Sequence, residues 1–87
     1  MRADEAQISR LLKTARGQID GILRMIQEDR YCIDISNQIM AAESILARAN
    51  KEVLRAHMQG CVQDAIANGT SEEKVAEIVN LLDKLMK

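Results

Sequence analysis

From Ile8 onward the apolar positions recur every three or four residues, as Ile8, Leu11, Leu12, Ala15, Ile19, Ile22 and Ile26, with polar side chains between them. At about 100° per residue these positions share one arc of an α-helix, and Asp4 followed by Gln7 reads as a capping box at its start. The pattern breaks around Glu28 to Tyr31. It resumes as Ile35, Ile39, Ala42, Ile45, Leu46, Ala49, Val53 and Leu54 and runs on toward Ala67. A helix of that length extends about 50 Å at ~1.5 Å per residue. Asn68 and Gly69 suit a left-handed helix terminus, and Thr70 with Glu73 reads as a second capping box. A short amphipathic helix follows, carrying Val75, Ile78, Val79, Leu82 and Leu85. Helices are therefore expected over about 4–29, 33–68 and 71–86, in one domain spanning 1–87.

A 50 Å helix is too long for a lone three-helix domain of this size to cover, so much of its apolar stripe would stay wet in a monomer. An antiparallel dimer, in which the first two helices of each chain build a four-helix bundle, removes that exposure. Composition agrees with an all-α fold: the 87 residues include no proline and only four glycines, while good helix formers dominate. Tyr31 is the sole aromatic residue, so the core must pack through close contact between aliphatic side chains.

Charge changes the picture less in amount than in placement. The formal net charge is only −1, which argues against coating nucleic acid by bulk charge. Between Ala6 and Ile19, however, there are three basic residues and no acidic one. No run approaches the roughly 20 apolar residues that cross a bilayer, and the N-terminus lacks the apolar core of a signal peptide. A soluble, cytoplasmic protein without a membrane partner is expected. In a reducing compartment its two cysteines are packing residues, metal ligands or redox-active thiols. An enzyme is not expected, because one histidine, no glycine-rich loop and no clustered carboxylates offer little catalytic apparatus.

The candidate chemistry lies in Cys32, His57 and Cys61. His57 and Cys61 are four residues apart, hence on one side of the second helix and one turn apart, as two ligands of a single metal would be. Taken alone, the pair reads equally as a core histidine and a small buried hydrophobe. Cys32 starts the same helix, roughly 35–40 Å from His57, so one chain cannot bring the two together. In an antiparallel dimer the start of one second helix lies near the far end of its partner, which would place Cys32 of one chain beside His57 and Cys61 of the other. Two thiolates and one imidazole form a soft set that suits three-coordinate Cu(I); Zn(II) would prefer a fourth ligand.

The segments SRLLKTARGQIDGILRMI, DRYCIDISNQI and RANKEVLRAHMQGC, together with the C-x24-H-x3-C spacing, resemble the copper-sensitive operon repressors and their relatives, the CsoR/RcnR type. The similarity covers nearly the whole chain, and the spacing looks like the copper branch. Relatives that sense nickel or cobalt place histidine near the N-terminus and at the last ligand position. Formaldehyde sensors lack the last cysteine, and persulfide sensors lack the histidine. The resemblance implies a homodimer that assembles to a homotetramer, a disc-like dimer of dimers, which binds operator DNA when metal-free and lets go when copper binds. It also implies that Tyr31 and Glu77 sit behind the histidine ligand, where a hydrogen bond to the free nitrogen of His57 would fix its tautomer. Without the resemblance, Tyr31 reads as a half-buried plug and Glu77 as a solvated charge.

Arg10, Lys13, Arg16 and Arg24 on the first helix, with Arg48, Lys51 and Arg55 on the second helix opposite His57, are the expected phosphate contacts. Gly17 and Gln18 beside Arg16 match a motif of the family. No helix-turn-helix or zinc-finger spacing is present, so specificity would rest largely on DNA shape. The plainer reading makes these residues solvated helix faces, with pairs such as Arg48 and Glu52. Two other functions fit the residues. A persulfide or redox sensor would join Cys32 and Cys61 through sulfur and leave His57 idle; a purely structural helical bundle would use neither metal nor DNA.

Overall fold

A computed structural model describes residues 1–69 and 72–86, and side chains as far as residue 84. Three helices occur among them: α1 (Glu5–Gln27), α2 (Cys32–Asn68) and α3 (Glu72–Met86). No strand is present among the described residues. The expected Thr70 cap and the Leu85 side chain lie outside the described residues.

The end of α1 follows from its backbone hydrogen bonds. The Asp29 amide donates to the Ile26 carbonyl (3.1 Å) and the Arg30 amide to the Met25 carbonyl (3.0 Å), which is the double bond of a Schellman motif. Asp29 takes the left-handed position that motif requires, with φ 54°. Asp is among the few non-glycine residues that tolerate it. The Ile35 amide then donates to the Tyr31 carbonyl (3.2 Å), which opens α2. Asp34 lies in the first turn of α2, where a carboxylate faces the positive end of the helix dipole.

The chain divides into two compact units, Glu5–Asn50 and Met1–Asp4 with Lys51–Lys87. In the first, Ile8, Leu11, Ala15 and Ile22 of α1 and Ala42 and Ala49 of α2 are buried. The expected α1 stripe is thus half right: Leu12, Ile19 and Ile26 belong to it by periodicity but are 44–56% exposed.

In the second unit the buried side chains are Cys61 and Leu81. The N-terminal arm lies against α2, where Arg2 Nη2 pairs with Asp64 Oδ2 at 2.6 Å. The Arg2 side chain crosses Gly60 so closely that a Cβ there would meet its guanidinium. Gly69 ends α2 with φ +85°, the conformation anticipated for Asn68-Gly69. Glu72 and Glu73 occupy the first turn of α3 and Lys84 the last, each sign at the favourable end of the dipole.

Candidate metal centre

α2 presents His57 and Cys61 on one side, one turn apart, and α3 brings Glu77 to them. His57 Nε2 lies 3.5 Å from Cys61 Sγ and 2.6 Å from Glu77 Oε1. One ligand atom from each of the three residues falls within 4.8 Å of the others. Cys61 is only 2% exposed, whereas the His57 and Glu77 side chains are each 43% exposed. The thiol forms the floor of the cluster, and the imidazole and carboxylate form its open side.

The hydrogen bond from His57 holds the Glu77 carboxyl below its ordinary range, and it outweighs the partial burial that pushes the other way. A neutral imidazole that donates Nε2–H to this carboxylate keeps the lone pair on Nδ1. A metal-bound histidine is ordinarily braced in this way from behind.

Other site residues are placed as follows. Cys32 is exposed at the first turn of α2, and Tyr31 beside it is exposed in the α1–α2 connection. Arg10 and Lys13 line a shallow depression of about 570 Å³ on α1, with Ala6, Ser9 and Thr14. Arg16, Arg24, Arg48, Lys51 and Arg55 are all exposed. Glu52, expected opposite Arg48, pairs with Arg55 Nη2 at 2.9 Å. The residues missed from sequence are Arg2, Gly60 and Asp64. Nothing in the spacing of positions 2 and 64 announces a contact, although a glycine inside a long helix is a signal of close approach.

These observations define an all-helical protein with a nitrogen, sulfur and oxygen donor cluster on two helices. The chain belongs to the metal-sensitive transcriptional repressor family, whose sequence model matches residues 4–84. It is 41% identical over 69 residues to the copper-sensing transcriptional repressor CsoR of Mycobacterium ulcerans, a match covering 79% of this chain and 59% of that protein. The chain therefore spans under two thirds of that relative's length. Among solved structures it is similar to the nickel-responsive transcriptional regulator InrS, with a TM-score of 0.86 and 29% identity over 98% of this chain and 96% of that one. It is also similar to the copper-sensing repressor CsoR with Cu(I) from Geobacillus thermodenitrificans, with a TM-score of 0.79 and 33% identity over 94% of this chain and 85% of that one.

Proposed function

We propose that this chain is a cytoplasmic Cu(I)-responsive transcriptional repressor, with residues 1–87 acting as one helical metal-sensing and DNA-binding domain. The observation that carries the reading is the 3.5 Å approach of His57 and Cys61, with Glu77 bracing the imidazole, in a chain of this family. Cys32 of a partner subunit would supply the third ligand. Two thiolates and an imidazole fit Cu(I), a soft ion that accepts three ligands and would tie the two subunits together. Tyr31, adjacent to Cys32, would reach the same imidazole from the partner side.

Exposed apolar residues support the dimer. Leu12, Ile19, Leu23 and Ile26 of α1 and Ile33, Ile39, Met40 and Leu46 of α2 are 43–56% exposed in the single chain. Leaving that much aliphatic surface wet is unfavourable, and a four-helix bundle between two chains covers it. A dimer of dimers would then align Arg10, Lys13, Arg16, Arg24, Arg48, Lys51 and Arg55 along a broad surface, where modest phosphate contacts add. Metal-free protein would hold operator DNA, and the copper-bound arrangement would hold it less well, the two ligands being coupled through helix position.

The test is fluorescence anisotropy of a DNA fragment from the gene's own promoter, under anaerobic conditions. One Cu(I) per protomer is expected to release the DNA, and the variants Cys32→Ala, His57→Ala and Cys61→Ala are expected to stay bound. Release by a persulfide donor alone, undiminished in His57→Ala, would replace this reading with a thiol-sensing one.

A further inference from the structure

We propose that His57, Cys61 and Glu77 form, within one protomer, a site for a borderline divalent cation, Zn(II) being the natural case, that makes no use of Cys32. It needs no second subunit and stands whether or not Cu(I) is the physiological effector.

The geometry is close to what a tetrahedral ion requires. Bonds of about 2.3 Å to sulfur and about 2.0–2.1 Å to nitrogen place those two ligand atoms about 3.5 Å apart. His57 Nε2 and Cys61 Sγ stand at 3.5 Å. The nitrogen-to-oxygen edge of the same tetrahedron is about 3.3 Å, and here Nε2 and Glu77 Oε1 are 2.6 Å apart with a hydrogen bond between them. Loss of that proton and a retreat of the carboxylate by about 0.7 Å opens the edge to its metal-bound length. The half-exposed Glu77 side chain has room for such a shift. The fourth position opens on the solvent side, as expected where three protein ligands leave one place for water.

Charge points to a divalent ion. One thiolate and one carboxylate balance two positive charges. A monovalent soft ion has no need of the carboxylate and gains more from a second thiolate. Cys61 binds as thiolate, and its proton passes to the buffer. Glu77 cannot both accept the Nε2 proton and share a metal with Nε2, so the two ions engage opposite nitrogens of one imidazole. Glu77 is then a brace for Cu(I) and a ligand for Zn(II).

Co(II), which reports bound thiolates through charge-transfer absorption, is the probe, titrated anaerobically into the full chain and then displaced with Zn(II). One thiolate per ion is expected in the unmodified protein, with the same band and the same Zn(II) affinity in Cys32→Ala. Glu77→Gln is expected to weaken Zn(II) by more than about tenfold, with circular dichroism verifying its helices. Two thiolates per Co(II), loss of Zn(II) binding in Cys32→Ala, or an unchanged affinity in folded Glu77→Gln would each overturn the proposal. The thiolate count in the unmodified protein does not depend on any variant folding. A parallel Cu(I) titration of Cys32→Ala separates the two readings: Cu(I) binding retained there counts against the three-ligand copper site and leaves the Zn(II) site untouched.

Discussion

Glu77 on α3 reaches across to His57 on α2 at 2.6 Å, so the carboxylate fixes both the rotation of the imidazole and the nitrogen it offers to a metal. The contact joins two helices through the one histidine in the chain. Removing it while keeping every copper ligand is the cleanest way to weigh it. Glu77→Gln is expected to weaken Cu(I) binding by about 10–100-fold, in line with the loss of a partner behind a histidine ligand. Competition against a chromophoric Cu(I) chelator measures this, and an unchanged affinity would show that the brace plays no part in binding that ion.

The same interaction gives an acid dependence. Hydrogen bonding to His57 sets the folded-state value of Glu77 below the ordinary 4.5. Its contribution to stability is therefore fully present above the ordinary value and is lost as pH falls through the lower folded-state one. The urea midpoint of the unmodified protein should fall more steeply than that of Glu77→Gln as pH drops below the ordinary value. The side chain is half-exposed, so added salt should shrink the difference. Parallel pH profiles would rule the contribution out.

Two helix ends offer opposite substitutions at equivalent left-handed positions. Asp29 carries a side chain at φ 54° where glycine is unstrained, so Asp29→Gly should stabilise the protein by about 0.5–1 kcal/mol. Gly69 at φ +85° already has the suitable residue, and Gly69→Ala should destabilise by about 1–2 kcal/mol. Thermal unfolding followed at 222 nm checks both signs.

Gly60→Ala tests the N-terminal arm. The added Cβ meets only the far end of the flexible Arg2 side chain, which swings away and gives up its exposed pair with Asp64, worth about 0–1 kcal/mol. Alanine in place of an interior helical glycine returns about 0.5–1 kcal/mol. The net change in stability should be near zero, and the arm should become more accessible to proteolysis. A loss above about 2 kcal/mol would mean that backbone and not a side chain had been displaced.

Operator binding by the basic face of α1 predicts a salt signature. Removing Lys13, which lines the shallow depression with Arg10, should weaken binding about equally on all sequences and reduce the slope of log K against log salt by about 1 for each phosphate left without its cation. A slope unchanged in both Lys13→Ala and Arg10→Ala would move the DNA-binding surface elsewhere.

By itself, the sequence determined the elements. Apolar spacing of three and four residues, the absence of proline and the Asn68-Gly69 terminator set three helices to within a few residues of where they lie, because helix periodicity and termination are local properties. His57 and Cys61 were legible as neighbours for the same reason, since a separation of four residues on a continuous helix leaves little freedom. What only the tertiary structure decided is how segments distant in the chain meet. Glu77 arrives from α3 and Arg2 from the N-terminal arm, while Leu12, Ile19 and Ile26 share the apolar arc of Ile8 and Ile22 yet lie half-exposed. Periodicity states which side of a helix a residue takes, but not which other helix, if any, lies against that side.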